Sequence, residues 1–309
     1  VNSNYLATIG TGDNTVRVWD ISTGSLKFSY AHTLTVNSIA FSPNGLYVVS
    51  ASNDYYAKIY NIDGTLKANI STGGICYYAS FSPDSQNIVI GGSVASAQAK
   101  VYTNTGTLVR TYNVGDTVNY VEYSSDGLYI LTKSQAATTN PVKVWNNSGT
   151  GTISTPYKTW TYATYVINSA TFSPDSQYIL TTATDNAAKL WSYKLTTPTA
   201  ITMAHGYAIN SAAFSPNGSY IVTSCADISI GNPNTVRVWN GSTGTLVGAL
   251  AGTNKHTSTA NYAAFSSDSM KIVTAGADNK AKMWDLASYV STANPMVPYT
   301  INLKVSDNG

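Results

Sequence analysis

The sequence predicts an all-β protein built from seven copies of one repeat, and three observations support this prediction. Only 10% of the 309 residues are charged, against roughly 25% in an average soluble protein. Aromatic and β-branched side chains, which favour strands, are abundant, with 23 tyrosines in the chain. A turn phrase recurs along the chain, and an aromatic residue that follows a base recurs in register with it.

The turn phrase has the general form Ser-Pro-Asp/Asn-Gly. Proline in the second position, followed by Asp, Asn or Gly, favours a type I turn between paired strands. An aromatic residue precedes most of the copies, as in Phe41 and Phe81. The copies begin at Ser42, Ser82, Ser124, Ser173, Ser215, Ser266 and Ser306. We therefore predict seven turns of one design, each joining two antiparallel strands.

The second phrase ends in Trp or Tyr, with a Lys or Arg two residues before it. Residues i and i+2 share one face of a strand, so the aliphatic stem of each base can pack over its own ring. The aromatic residues are Trp19, Tyr60, Tyr102, Trp145, Trp191, Trp239 and Trp284. These pairs use seven of the 17 bases, and the net charge is only +2. We therefore expect neither nucleic-acid binding nor membrane insertion, since no run of about 18 apolar residues exists.

In these phrases the sequence resembles the WD-repeat β-propeller family over essentially its whole length. The resemblance rests on the seven turns and on the Val-Arg-Val-Trp phrases at 16–19 and 236–239. It implies a single domain over residues 1–309, a seven-bladed β-propeller of four-stranded antiparallel blades whose strands a to d run outward from the axis. It also implies a noncatalytic scaffold that binds protein partners through its d–a and b–c loops.

The three histidines fall in the same register. Each precedes a Ser or Thr by 18 residues and an Asp by 22. The family resemblance implies a structural hydrogen-bond network of His, Ser/Thr, Asp and Trp in such blades. Two sets are complete, and a third, His32, Ser50 and Asp54, ends in Tyr60 instead of Trp; the complete sets are His205, Thr223, Asp227, Trp239 and His256, Thr274, Asp278, Trp284. A catalytic triad is normally unique, so we interpret the repeated trio as structural.

The two ends of the chain predict how the ring closes. Tyr5 aligns with Tyr47, so the chain begins at strand b of blade 1 and residues 1–30 lack an innermost strand. Residues 299–309 resemble residues 34–45, and we predict that they supply strand a of blade 1 and close the ring. The alternative is that 299–309 forms an outer strand or a tail.

Two regions are candidates for partner contact. Ile228 and Ile230 lie in a long b–c loop of blade 6, where they either form an apolar contact point or fold back on the neighbouring blade. Tyr157 and Trp160 follow the third strand of blade 4. Tyrosine and tryptophan are favoured interface anchors. The alternative, which we favour, is that these two residues pack as part of the outer strand.

A column of asparagines marks the start of strand a in six blades. If their side chains face the central channel, they form a polar ring that holds water or a small polar ligand. The alternative is that they satisfy irregular backbone where strand a begins. The six are Asn37, Asn119, Asn168, Asn210, Asn261 and Asn302.

Motifs of enzyme chemistry are missing from the sequence. No phosphate-binding glycine loop precedes a helix, no Cys/His cluster has metal-ligand spacing, and no carboxylate pair stands outside the repeats. We therefore expect no enzyme activity, no cofactor and no metal. Three functions stay open: a protein-interaction scaffold, an extracellular structural protein that self-assembles into an oligomer or fibre, and a sugar-binding propeller. The low charge and the missing initiator Met favour an extracellular or secreted location over a cytoplasmic one.

Overall fold

The computed structural model describes most of the chain as β-strands and short turns. The described residues are 4–10, 12–93, 98–135, 141–160, 165–195, 199–226, 236–250, 255–287 and 299–301. They fall into two compact units, residues 1–163 and residues 164–309. Twenty-eight strands lie in this part of the chain, and they form seven sheets. The prediction of an all-β fold made of antiparallel sheets is therefore confirmed.

The first unit contains four sheets. The first has three strands, β1 (Tyr5–Ile9), β2 (Thr15–Asp20) and β3 (Leu26–Ala31). The second has β4 (Val36–Phe41), β5 (Tyr47–Ser52), β6 (Tyr56–Asn61) and β7 (Leu66–Ser71). The third has β8 (Cys76–Phe81), β9 (Asn87–Gly92), β10 (Gln98–Thr103), β11 (Leu108–Asn113) and the distant β15 (Gly151–Ile153). The fourth has β12 (Val118–Tyr123), β13 (Tyr129–Ser134), β14 (Val142–Asn146) and β16 (Lys158–Trp160).

The second unit contains three sheets of four strands. The fifth sheet has β17 (Ile167–Phe172), β18 (Tyr178–Ala183), β19 (Ala187–Ser192) and β20 (Ala200–Ala204). The sixth has β21 (Ile209–Phe214), β22 (Tyr220–Cys225), β23 (Val236–Asn240) and β24 (Leu246–Ala249). The seventh has β25 (Ala260–Phe265), β26 (Lys271–Gly276), β27 (Lys280–Asp285) and β28 (Tyr299–Ile301). In the four-stranded sheets we call the strands a, b, c and d in chain order.

The hydrophobic core of each unit lies between successive sheets. In the first unit one cluster joins Val49 and Ile59 of the second sheet to Ala79 and Ile88 of the third. Strand b is buried on both faces in most sheets, as the burial of all but the first residue of β5 shows. Such strands read as nearly continuous apolar or small residues, because neither face meets water. Each sheet therefore depends on its neighbour for the burial of its apolar surface.

Strand a carries a β-bulge at the position of the asparagine column. The register of β4 on β5 skips Asn37, and the register of β21 on β22 skips Asn210. A bulged residue has no ladder partner, so its side chain is free to bond elsewhere. The Asn37 amide donates to the carbonyl of Cys76 at 2.7 Å, and the Asn210 amide donates to the carbonyl of Ala260 at 3.0 Å. The bulge asparagine thus ties strand a to strand a of the next sheet.

In both β4 and β21 a serine follows the asparagine and extends the same tie. Ser38 Oγ accepts the backbone N–H of Ala79 at 3.1 Å, and Ser211 Oγ accepts that of Ala263 at 3.1 Å. An Asn-Ser pair therefore binds one carbonyl and one N–H group of the neighbouring strand. This arrangement pairs backbone groups that packing between the sheets would otherwise leave unbonded.

The C-terminal strand differs from its predicted place. Residues 299–301 form β28, which pairs antiparallel with β27 as the fourth strand of the seventh sheet. The prediction that 299–309 joins residues 1–30 as strand a of the first sheet is therefore wrong for 299–301. The edge of β27 lacks another partner in the described chain, and pairing there satisfies its N–H and C=O groups. Residues 302–309 lie outside the described residues.

An added strand covers the edge of the third sheet. β15 pairs in parallel with β11, whereas every other described pairing is antiparallel. Arg110 is buried, and its guanidinium donates to the carbonyl of Gly149 and to the Asn147 side chain. Asn113 also reaches Ser154 Oγ at 3.0 Å. These contacts fix the segment after β14 against the outer strand of the preceding sheet.

We predict that Asn210→Ala lowers the free energy of unfolding by about 1–2 kcal/mol, because it leaves the buried Ala260 carbonyl unpaired. Urea denaturation measures the change. The matched control is Asn261→Ala, which removes the equivalent, exposed side chain in the seventh sheet. The control should change stability by less than about 0.5 kcal/mol. Equal losses in the two variants would contradict the tie between the sheets.

Candidate functional site

The His256 network spans strands b and c of the seventh sheet. His256 Nδ1 lies 2.8 Å from Asp278 Oδ1, and His256 Nε2 lies 2.8 Å from Thr274 Oγ1. The indole N–H of Trp284 donates to the same Thr274 hydroxyl at 2.9 Å. Because a carboxylate only accepts, the imidazole proton is on Nδ1 and the threonine hydroxyl donates to Nε2. Both imidazole nitrogens, the threonine hydroxyl and the indole N–H of this network are thereby hydrogen-bonded.

The other two histidines follow the same arrangement. His32 Nδ1 lies 2.8 Å from Asp54 Oδ2, and its Nε2 lies 2.7 Å from Ser50 Oγ. Tyr60 stands where the indole would be, and its ring stacks on Tyr30 with centroids 3.7 Å apart. In the sixth sheet His205 and Trp239 both bond the Thr223 hydroxyl, at 2.5 and 2.8 Å. Asp227, which completes that set, lies outside the described residues.

The repeated bases of strand c bond outside their own strand. Lys58 donates to the carbonyl of Ala31 at 2.9 Å, and Arg237 donates to the carbonyl of Ala204 at 2.8 Å. Each carbonyl belongs to the last residue of the outer strand of the preceding sheet, β3 for Ala31 and β20 for Ala204. In two sheets without a histidine the base bonds its own loop acid instead, as Lys189 does with Asp185 at 2.6 Å. The strand-c base therefore links either two sheets or a strand and its loop.

The carboxylate of Asp54 organises two loops at once. The d–a loop between β3 and β4 donates the N–H of Thr33 at 3.1 Å, and the b–c loop between β5 and β6 donates the N–H of Tyr56 at 3.1 Å. The first of these loops exposes Leu34, and the second exposes Tyr55 and Tyr56. We call the end of each sheet that carries the b–c and d–a loops the loop end.

The second unit exposes comparable side chains at its loop end. Tyr165 and Tyr207 occupy the same place before strand a as Leu34, two residues before the first residue of β17 and of β21. Leu34, Tyr165 and Tyr207 are 52%, 45% and 41% exposed. One large apolar or aromatic side chain is therefore presented by the d–a loop in front of the second, fifth and sixth sheets.

Burial and hydrogen bonding set the charge states of the His32 pair. Burial lowers the pKa of His32 below its ordinary 6.5, and the opposing influence of Asp54 is smaller. Burial acts to raise the pKa of Asp54, but hydrogen bonds from His32, Thr33 and Tyr56 bring it below its ordinary 3.8. At neutral pH the pair is therefore a neutral imidazole beside an ionised carboxylate. The pKa of Asp278 is lowered in the same way by His256 and Thr257, against burial.

The residues predicted to contact a partner differ in their location. Ile228 and Ile230 lie outside the described residues. Trp160 is only 6% exposed and sits opposite Val142 in the β14–β16 pairing, so its ring packs in the interior instead of facing a partner. Tyr157 is at the surface, with its ring centroid 5.4 Å from that of Tyr129. The structure thus assigns Trp160 to outer-strand packing.

The asparagine column bonds protein groups where the structure shows its partners. The amide of Asn168 donates to the carbonyl of Ile209 at 3.0 Å, as the amides of Asn37 and Asn210 do to their neighbours. Asn119 Oδ1 accepts from the buried Lys133 ammonium at 3.2 Å. Asn261 is exposed, and Asn302 lies outside the described residues. These contacts favour the backbone role over a ligand-binding ring.

Sequence reasoning missed Leu34, Tyr55 and Tyr207 as exposed loop residues. No motif marked them. In the described chain no group of three His, Cys, Asp or Glu side chains is placed to hold a metal ion, and no helix there is long and apolar enough to cross a membrane.

Comparison with known proteins agrees with the repeated networks. Residues 24–61, 154–192, 196–240 and 246–285 match the family described as WD domain, G-beta repeat, and together they cover just over half of the chain. The chain belongs to the WD-repeat family. The four matched WD repeats end at Asn61, Ser192, Asn240 and Asp285, which each follow the strand-c aromatic residue. The predicted family is therefore confirmed.

A curated relative is similar over a short stretch. The chain is 40% identical over 58 residues to the WD repeat-containing protein SL1-17 of Schistosoma mansoni. The alignment covers 18% of this WD-repeat chain and 19% of that protein. The likeness therefore extends over little more than one repeat.

We predict that acid destabilises the protein in two stages. His32 binds its proton more weakly folded than unfolded, so stability is lost as the pH falls below 6.5. Asp54 and Asp278 have lowered pKa values, so their contribution is lost below 3.8. The urea midpoint measured from pH 7 to pH 3 should fall through both windows. A His32→Asn variant should start lower at pH 7 and fall less between pH 7 and pH 5, and an unchanged slope there would contradict the assignment.

Proposed function

We propose that the chain is a noncatalytic scaffold, a seven-bladed propeller of four-stranded blades whose loop end binds protein partners. The observation that carries this proposal is the presentation of Leu34, Tyr165 and Tyr207 at one equivalent loop position. Exposed aromatic and large apolar side chains on rigid loops are typical anchors of protein interfaces. The WD-repeat family supports the same role, because its repeats generally mediate contacts between proteins.

The charge pattern supports a neutral interface. At the loop end Asp54, Asp185 and Asp278 each bond a His or Lys of their own repeat. Asp13 likewise pairs with Arg17. A partner that approaches the loops therefore meets few charges that seek a counterion. Binding through neutral polar, apolar and aromatic groups depends only weakly on salt.

The burial of the hydroxyl groups supports the noncatalytic assignment. Ser50, Thr223 and Thr274 are fully buried beside their histidines. In the last two, the indole N–H of a Trp also occupies the hydroxyl oxygen. A hydrolase needs its nucleophilic oxygen open to substrate and next to a general base. These trios resemble a catalytic triad in composition, but their hydroxyl oxygens face the interior.

A second candidate function is self-association through the opposite end of the sheets, which we call the turn end because the a–b and c–d turns lie there. The first residue of the outer strand is a half-exposed leucine in four sheets: Leu26, Leu66, Leu108 and Leu246. Exposed apolar side chains that recur at one strand position, on a chain with few charges, favour contact between copies. This candidate assigns a specific surface to the self-assembling structural protein that the low charge of the sequence favours.

We predict that the triple variant Leu34→Ser, Tyr165→Ser, Tyr207→Ser weakens partner binding at least about tenfold, because it removes the apolar anchors and leaves the sheets intact. Affinity purification from the native source, followed by binding assays with the recovered protein, measures the change. Raising the salt from about 50 to 500 mM should weaken binding less than about threefold. The matched control is Leu26→Ser, Leu66→Ser, Leu108→Ser at the turn end.

The two triple variants separate the candidate functions. Loss of partner binding only in the loop-end variant supports the scaffold. Concentration-dependent association in analytical ultracentrifugation that only the turn-end variant abolishes supports self-assembly. Partner binding that survives the loop-end variant, or that falls steeply with salt, contradicts the loop-end proposal. Binding to a glycan array that the loop-end variant abolishes would replace the protein partner with a sugar.

A further inference from the structure

Tyr55 has a backbone conformation that bulky residues rarely adopt. Its φ is +71°, in the left-handed region. Three other b–c loops place a residue at the same position with φ between +55° and +63°, and in each of them that residue is asparagine: Asn14, Asn186 and Asn279. Asparagine tolerates this conformation because its short polar side chain avoids the clash with the following carbonyl. The second sheet therefore has a tyrosine at a position where three other sheets have an asparagine, which suits the turn.

The surrounding hydrogen bonds impose this conformation. The carbonyl of Tyr55 accepts the backbone N–H and the hydroxyl of Thr72, both at 3.0 Å. The carbonyls of Asn14 and Asn186 accept the N–H groups of His32 and His205 in the same way. On the other side of Tyr55, the N–H of Tyr56 donates to Asp54. The b–c loop of the second sheet therefore has the same backbone conformation as the equivalent loops, although tyrosine is unsuited to a positive φ.

The side chain of Tyr55 lies at the surface of the protein. It is 52% exposed. Among the described residues no aromatic ring stacks on it and no cation lies over it. Residues held in disfavoured backbone regions persist where surrounding structure fixes them, and they concentrate at functional sites. Within the part of the chain that the structure describes, no ring contact and no hydrogen bond of its side chain accounts for a tyrosine at this position.

We propose that Tyr55 is a recognition residue that binds an uncharged, apolar peptide segment of a protein partner. The proposal deepens the proposed function and rests on it. Leu34 and Tyr56 flank Tyr55 on the loops that Asp54 joins, and they extend the exposed apolar surface. We call Leu34, Tyr55 and Tyr56 the tyrosine patch.

The chemistry of the patch selects the occupant. The acid next to Tyr55 in sequence, Asp54, is bonded to His32, Thr33 and Tyr56, and the base of the following strand, Lys58, is bonded to the carbonyl of Ala31. An acidic or basic peptide would lose hydration at the patch without gaining an ion pair. An apolar side chain gains contact with two rings and Leu34, while phenolic hydroxyls and loop backbone remain to bond its peptide groups. An uncharged apolar segment therefore complements the patch best.

A peptide library supplies a defined probe. Random 12-residue peptides displayed on phage are selected on the purified full chain, and individual peptides are then measured on variants. We expect peptides that are rich in apolar residues and poor in charge. Their affinity should fall at least tenfold on Tyr55→Asn and less than threefold on Tyr55→Phe, which keeps the ring. Tyr55→Asn should also raise the melting temperature by roughly 1–3 °C, because asparagine relieves the backbone strain.

The outcomes distinguish this inference from the proposed function. Peptides that lose affinity on Leu34→Ser but keep it on Tyr55→Asn leave the loop-end scaffold standing and overturn the role of Tyr55. Peptides whose affinity is unchanged by both substitutions, or a selection that enriches no peptide, overturn the tyrosine patch as a peptide site, whereas failure of the loop-end scaffold is shown separately by partner binding that survives the triple variant. Charged consensus peptides overturn the uncharged partner. A melting temperature that falls in Tyr55→Asn shows that tyrosine is structurally preferred there, which also overturns the inference.

Discussion

The hydrogen bond between the His32 imidazole and the Asp54 carboxylate is the contact on which the shape of two exposed loops depends. It connects the residue that follows one outer strand with the loop between strands b and c of the next sheet. The same carboxylate fixes Thr33 and Tyr56, so a buried polar pair determines the position of the exposed Leu34 and Tyr55. Because both ring nitrogens and both carboxylate oxygens of the pair are bonded, the pair stays buried without a large desolvation penalty. The interior network and the recognition surface are therefore one structure.

Contacts between sheets rely on neutral groups and on backbone carbonyls. The bulge asparagines Asn37, Asn168 and Asn210 donate to a carbonyl of the next sheet, and the strand-c bases Lys58 and Arg237 donate to a carbonyl of the preceding one. Within each unit, neighbouring sheets are thus bonded by side chains that recur at fixed places, as expected where neighbouring repeats share their core. These hydrogen bonds explain why seven of the few charged residues recur at one position of strand c, two residues before the aromatic residue. Little charge is left for the surface, which agrees with a neutral interface.

The sequence was sufficient to predict the repeats, the family and the all-β sheets, because each depends on local phrases that recur in register. Residues 299–301 were misplaced, since resemblance to strand a could not show that the edge of β27 competes for the same segment. Trp160 was ambiguous because a ring in an outer strand can face either side. Tyr55 could not be recognised at all, because its significance is a positive φ imposed by hydrogen bonds from other loops.

Amide hydrogen exchange at Thr33 and Tyr56 tests most directly whether the buried pair shapes the exposed loops. In the intact protein both N–H groups donate to Asp54, and we expect both to be protected although they lie near the surface. In an Asp54→Ala variant that remains folded, exchange at these two amides should accelerate at least tenfold, while the amides of the β5–β6 ladder keep their rates. Unchanged exchange at Thr33 and Tyr56 in that variant would contradict the account, because the loops would then hold their shape without the carboxylate.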